Sequence, residues 1–313
     1  MILSVSRRTD IPAYYSQWFM NRLQEGYALV RNPRNPRRIS RIPISPEVVD
    51  GIVFWTKNPI PMLKNLSELD PYLYYFQFTL TPYGKDVEPG LPSKEEKLIP
   101  AFQALSAQIG KERVIWRYDP ILLSDVYTVE YHCRRFYEMA KKLSGFTRQC
   151  TISFLDFYRN IRGSLQTLRI SPVNQQQMME IAKRFSQTAQ AFGFTLSACA
   201  ETTDFLPFGI APANCVDKDL LERLGGFHLC LSKDPNQRQA CGCAASVDIG
   251  AYNSCRNGCV YCYANHSRTL VEQNSKQHNP NSPLLYGEIK PGDVITEKKV
   301  ASSAKLQYSL FET

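Results

Sequence analysis

Three cysteines in the short run Ser254-Cys255-Arg256-Asn257-Gly258-Cys259-Val260-Tyr261-Cys262 carry more chemistry than any other part of this sequence. Their spacing is C-x3-C-x2-C, and no fourth cysteine follows. A four-iron cube normally takes one thiolate per iron in electron-transfer proteins. Three thiolates on one loop therefore leave one iron open to an outside ligand. Structural zinc is the competing reading, since zinc accepts four sulfurs, but its cysteines usually come as two separated C-x2-C pairs. A disulfide framework suits short secreted chains, and this one reads as lacking a signal peptide. The spacing favours an iron–sulfur site.

A second group, Cys199, Cys215, Cys241 and Cys243, lies upstream in three separate segments. Four thiolates can close an auxiliary four-iron cluster with no open iron. A zinc site on the same ligands, or a set of unconnected thiols, are the alternatives. Cys133, Cys150 and Cys230 are left over. Buried cysteines are usually inert, although one near a radical centre can donate a hydrogen atom.

These residues need a scaffold. Strand-like apolar runs recur near Ile2–Ser6, Ile52–Thr56, Tyr72–Leu80, Arg113–Tyr118, Cys150–Phe157 and Phe194–Ala200. Amphipathic stretches around 14–25, 94–109, 128–143 and 173–192 alternate with them and predict helices. The alternation implies an α/β fold of parallel strands with crossover helices, a partial or complete TIM-like (β/α) barrel. Working groups in such barrels sit at the C-terminal ends of the strands. The strand ends here carry Arg7-Arg8-Thr9-Asp10, Thr56-Lys57-Asn58, Arg117-Tyr118-Asp119, Asp156 and Glu201. Lys57, Arg117 and Asp119 are the candidate contacts to cofactor or substrate, with a salt-bridge network at the barrel mouth as their alternative role. The expected organisation is a barrel over 1–235, a cluster loop and cover of the same domain over 236–297, and a flexible tail over 298–313.

Composition bounds the partners. With 313 residues, 43% apolar and 12% aromatic, the chain can bury a large core and is not disordered. No apolar stretch is long enough to span a membrane. Ten cysteines without secretory features point to a reducing cytoplasm. The formal charge of +8 permits a polyanionic partner. Arg7, Arg8, Arg22, Arg31, Arg34, Arg37, Arg38 and Arg41 crowd the N-terminal region, and the proline-broken segment 31–38 reads as an exposed basic loop. Phosphate contact and ordinary surface charge both account for it.

The three-cysteine loop resembles that of the radical S-adenosylmethionine (SAM) superfamily, including the aromatic Tyr261 before the last cysteine. That resemblance implies that Cys255, Cys259 and Cys262 hold a 4Fe–4S cluster whose open iron chelates the amino and carboxylate groups of SAM, fed by a donor such as flavodoxin or ferredoxin. Most of that superfamily carries the loop just after the first barrel strand. Here it follows all six expected strands, so either the barrel is permuted, with Val247–Gly250 leading into the loop, or the loop folds back over the mouth. The motifs at 6–12, 54–59, 116–121 and 241–243, and the approach to Cys255, resemble a bacterial domain-of-unknown-function family, number 1848. The Cys259-Val260-Tyr261-Cys262-Tyr263-Ala264 run is also similar to spore photoproduct lyase, which repairs a thymine dimer in DNA. Near the C-terminus, Gln307-Tyr308-Ser309-Leu310-Phe311 resembles the peptide by which bacterial repair and replication proteins dock on the β sliding clamp. Together these resemblances imply a radical SAM enzyme acting on a modified or damaged DNA base. A radical SAM enzyme on tRNA, peptide or metabolite, and a non-catalytic iron–sulfur or zinc DNA-binding or redox-sensing protein, are the alternatives.

Overall fold

The computed structural model describes residues 1–305, apart from the side chain of Asn160. Eight strands form one sheet: β1 (Ile2–Val5), β2 (Gly51–Thr56), β3 (Tyr74–Thr79), β4 (Val114–Ile121), β5 (Gln149–Phe154), β6 (Thr195–Ala198), β7 (Ala211–Pro212) and β8 (Ser246–Asp248). Their spatial order is β8-β1-β2-β3-β4-β5-β6-β7, and every neighbouring pair is parallel. Parallel neighbours require crossovers, supplied by the helices α1 (Ser16–Glu25), α2 (Ile99–Ile109), α3 (Val129–Leu143) and α4 (Gln175–Ala191). Capping side chains start two of them: Thr128 accepts from Tyr131 N, and Asn174 with Gln177 forms a capping box. The edges β8 and β7 do not pair with each other, so among the described residues the sheet is open and does not close into a complete barrel.

Side chains alternate between the two faces of a strand. Phe54, Phe76, Phe78, Trp116 and Tyr118 point to the helical side and make an aromatic core with Phe19, Phe102, Phe136 and Phe185. Phe136 stacks on Phe185 at 3.8 Å and on Trp116 at 4.9 Å, tying α3, α4 and β4 together. Truncating such a side chain to alanine costs about 3–5 kcal/mol. The alternate positions face the other way. There Ile2, Val53, Tyr75 and Ile115 pack with Cys215, Val216, Leu220 and Leu221. Further along the same strands the second face turns polar, with buried Ser4, Gln77, Arg117, Thr151 and Ser197. Apolar filling at one end and polar groups at the C-terminal end mark where a ligand belongs.

β8 decides how the cysteine loop is carried. It pairs with β1 in the register Ile2↔Ser246, Leu3↔Val247 and Ser4↔Asp248. Its Asp248 carboxylate accepts from Ser4 Oγ (2.9 Å), Ser6 Oγ (2.7 Å) and Arg7 N (2.9 Å). The loop thus follows a strand of the sheet, with Val247 and Asp248 in β8 leading towards it.

A hairpin of Tyr27–Arg31 with Arg38–Pro43 flanks this sheet, and Val294–Glu297 adds to it in parallel. The basic segment 31–38 is therefore the turn of a hairpin, with Arg31 and Arg38 inside its strands. Residues from 298 continue along the body: Ser302 Oγ and Ser303 N donate to Asp50 at 2.5 and 2.9 Å, and Ala304–Lys305 pairs with His228–Leu229. The peptide Gln307–Phe311 lies outside the described residues. Among the described residues, no helix is long and apolar enough to cross a membrane.

Candidate functional site

Asp10 organises the mouth of the sheet. Fully buried just after β1, it caps the turn Ile11–Tyr14 through Ala13 N (3.1 Å) and accepts from Thr56 Oγ1 (2.7 Å) and Lys57 N (2.8 Å) at the end of β2. Asn257, inside the cysteine loop, donates to the same carboxylate at 3.2 Å. Tyr14 Oη donates to Asn257 Oδ1 (2.7 Å) and Tyr15 Oη to Ser254 O (2.6 Å). Gly90 N donates to Asn257 O at 2.9 Å, and a Cβ on Gly90 would meet Arg256 O at 2.6 Å, so only glycine permits this approach.

Tyr261 fastens the other end of the loop. Lys57 Nζ donates to Tyr261 Oη at 2.8 Å and to Glu88 Oε1 at 2.8 Å. Tyr261 Oη itself donates to Glu88, which also receives Thr81 Oγ1 at 2.9 Å and Lys94 Nζ at 2.5 Å. Burial alone would raise the Glu88 pKa, but the two ammonium groups outweigh it and hold the carboxylate down at about 2. Burial opposes the charge on Lys57, and Glu88 more than offsets it, so its pKa rises. Burial also pushes the Cys255 thiol up to about 12 and raises Cys259 and Cys262. Burial thus opposes ionisation of all three thiols, and a metal held on this loop would have to displace their protons.

The second group of cysteines also assembles. Cys199 and Cys215 touch at 3.0 Å, Cys215 contacts Cys243, and Cys243 contacts Cys241. Segments far apart in the sequence thus bring four sulfurs into one chain of contacts. Among the described residues, no three His, Cys, Asp or Glu side chains surround a single ion position. Gly242 allows the tight turn, since a Cβ there would meet Asn214 Oδ1 at 2.1 Å. Arg117 supplies the countercharge: Nη1 donates to Cys215 Sγ at 2.7 Å, and Nε to Asp119 Oδ1 at 3.0 Å. The Cys215 hydrogen bond lowers the Cys199 thiol to about 7, with burial opposing and Arg117 assisting.

Trp55 lies between the two groups. On β2, Val53, Trp55 and Lys57 share one face. Val53 belongs to the apolar cluster around Cys215 and Cys243, whereas Lys57 reaches Tyr261. The Trp55 ring has the Arg7 guanidinium at 5.4 Å and the Arg117 guanidinium at 5.3 Å. Trp55 Nε1 and Arg7 Nε and Nη2 are buried without a hydrogen-bond partner. Buried donors of this kind are costly to leave unpaired, and a water or a bound acceptor can satisfy them.

Lys57, Arg117, Asp119, Tyr261 and both cysteine groups therefore converge on the C-terminal end of the sheet. Asp156 instead pairs with Arg238, and Glu201 accepts from Phe154 N at 2.8 Å. Cys133 and Cys150 are buried in the helix-side core, and Cys230 is exposed. Sequence reasoning overlooked Glu88, Trp55 and the structural use of Asp10. Trp55 stood inside the motif Phe54-Trp55-Thr56-Lys57-Asn58-Pro59, but Glu88 lies in a loop with no periodic pattern.

No curated protein and no solved structure matches this chain. The family model described as Domain of unknown function (DUF1848) matches residues 2–264, which span β1 through β8, both cysteine groups and Tyr261. The chain belongs to the DUF1848 family.

Proposed function

We propose that this chain is a radical SAM enzyme acting on a nucleobase, with a modified or damaged base in DNA as the leading substrate class. The observation that carries this reading is the seat of the three-cysteine loop: it leaves the C-terminal end of a parallel strand and is fastened to the neighbouring strand ends by Asp10 and Lys57. The open sheet is read as a partial (β/α) barrel whose cluster-bearing strand is permuted in sequence. Cys255, Cys259 and Cys262 would hold a 4Fe–4S cluster, with SAM on its open iron. Once reduced by its donor, such a cluster would supply one electron for the reductive cleavage of SAM, the chemistry that starts radical reactions of this kind.

This chain's own residues bind, orient and shield. Lys57 and Glu88 fix Tyr261 and so the loop that bears Cys259 and Cys262. Arg7 and Trp55 offer buried donors to an acceptor on SAM or substrate. Arg117, held by Asp119, donates to the sulfur of Cys215. Cys199, Cys215, Cys241 and Cys243 would hold an auxiliary four-iron cluster. Zinc on the same four thiolates is the alternative at this second centre, since zinc accepts four sulfurs. A flavodoxin or ferredoxin as donor, a cytoplasmic location, and docking of Gln307–Phe311 on the β sliding clamp complete the proposal.

The test is anaerobic reconstitution followed by iron, sulfide and zinc counts, spectroscopy with and without SAM, and an assay for 5′-deoxyadenosine. About eight irons, or about four irons with one zinc, together with a SAM-dependent spectral change, support the reading and identify the second centre. Zinc alone with no SAM cleavage would overturn it.

A further inference from the structure

Of the arginines crowded near the N-terminus, several are already committed inside the protein. Arg22 is fully buried and pairs with Glu25 at 2.8 Å, Arg31 pairs with Asp293 at 2.9 Å, and Arg41 pairs with Glu297 at 3.0 Å. Arg7 faces Trp55. Arg34, Arg37 and Arg38 are exposed on the hairpin turn, and their guanidinium groups have no acid partner among the described residues.

That turn rims a groove of about 410 Å³. Its opposite wall is Ile249–Asn253, the segment running from β8 directly into Ser254 and Cys255, together with His266 and Tyr286. Tyr252 is the centre of the wall. The Arg8 guanidinium lies 5.2 Å from its ring, and the His266 ring lies 6.0 Å away at 33°. Tyr286 Oη donates to Tyr252 O at 3.3 Å, and Asn253, with φ +54, accepts from His266 N at 2.6 Å, so the wall is braced from both sides. Two acids near it are already engaged, Asp248 by Ser4, Ser6 and Arg7 N and Asp293 by Arg31, while Glu288 stands exposed two residues from Tyr286.

We propose that this groove, lined on the turn by Asn32, Pro33 and Pro36, binds one unpaired nucleotide of a nucleic-acid strand, the base lying along Tyr252 beside Arg8 and the flanking phosphates reaching Arg34, Arg37 and Arg38 on the same turn outside the lining. Its volume is within the range of small-ligand sites. Aromatic surface beside a positive rim is the combination that binds single strands, because every base has a face to stack and every phosphate a charge to neutralise. The wall leads within a few residues to Cys255, so the groove and the cysteine loop share one segment of chain. A base in a duplex must be flipped out or unpaired to be reached, which this groove would favour by holding an extruded nucleotide. The inference rests on the nucleic-acid part of the function proposed above, and not on the identity of either metal centre.

The test is fluorescence anisotropy of a labelled 12-nucleotide single strand and its duplex with reconstituted full-length protein, from 50 to 300 mM salt. The expected result is a preference for the single strand. Tyr252→Ala weakens it by roughly tenfold or more, and Tyr252→Phe restores it. Replacing Arg34, Arg37 and Arg38 together by Gln flattens the slope of log K against log salt by about 2, from roughly 0.7 per phosphate contact. Single-strand binding that neither variant changes would overturn the groove and leave nucleic-acid recognition standing elsewhere on the surface. No binding of either oligonucleotide at 50 mM salt would overturn both. Competition by polyglutamate as strong as by unlabelled oligonucleotide of equal charge would reduce the site to a charge patch and overturn its base-binding role.

Discussion

The ammonium of Lys57, at the end of the second sheet strand, lies 2.8 Å from the hydroxyl of Tyr261 inside the cysteine loop. These two residues are 204 positions apart. The contact is not an isolated hydrogen bond, because Glu88 accepts from both groups. A buried carboxylate between two lysines and a phenol fixes the loop in position through charge, so its removal is felt by the sheet and the cysteines together.

Glu88→Gln should destabilise the protein by about 3–5 kcal/mol, the usual effect of leaving buried charges without their partner. Urea denaturation at pH 7 measures it. A variant within 1 kcal/mol of wild type would show that Lys57 and Lys94 find other partners.

The same group predicts an acid response. Its folded pKa of about 2 lies below the ordinary 4.5, so the unfolded chain binds its proton first. The stabilisation is complete above about pH 4.5 and is lost as pH falls towards 2. A shift of this size corresponds to about 3 kcal/mol. The wild-type stability minus that of Glu88→Gln should therefore shrink across this window; a difference independent of pH would contradict the assignment.

Tyr261→Phe keeps the ring and removes the hydroxyl. Lys57 and Glu88 still pair directly, so the expected loss is smaller than for Glu88→Gln, about 1–3 kcal/mol. Thermal and urea unfolding of both variants in parallel would settle the order.

Metal content should respond separately at the two cysteine groups. Cys255→Ala should remove the SAM-dependent spectral change and about four irons, leaving the second centre filled. Cys215→Ala should empty the second centre and keep the response to SAM. Loss of all metal from either variant would mean one shared site.

Deleting residues 307–313 should abolish capture by the β sliding clamp while leaving SAM cleavage unchanged. Capture that persists without these residues would rule out the terminal peptide as the tether.

Six sheet strands and the four crossover helices were legible because their apolar residues recur with periods near 2 and 3.6. The hairpin at 27–43 was hidden by its own chemistry: arginines and prolines dominate its turn, and its buried residues, Ala28, Leu29, Ile39 and Ile42, are too few to show a clear period. β7 and β8, with two and three residues, are too short to show a period. The cysteines and the strand-end Lys57, Arg117 and Asp119 could be found by residue type and position. Asp10, Trp55 and Glu88 could not be assigned roles, because their importance arises from partners distant in sequence. The arginine cluster divides for the same reason: sequence reads it as one basic region, while the fold pairs Arg22, Arg31 and Arg41 with acids and leaves Arg34, Arg37 and Arg38 exposed.

The late strand β8 also sets an order in time. β1 is bonded to a strand whose Asp248 is synthesised 244 residues after Ser4, about 12–50 s later at ordinary rates of translation. Until then that edge of β1 has no partner from the sheet and is open to wrong pairing. The ligands become available in sequence as well: Cys199 to Cys243 leave the ribosome before Cys255 to Cys262. The second cysteine group can therefore gather first, and the three-cysteine loop is made only when the sheet that carries it is nearly complete.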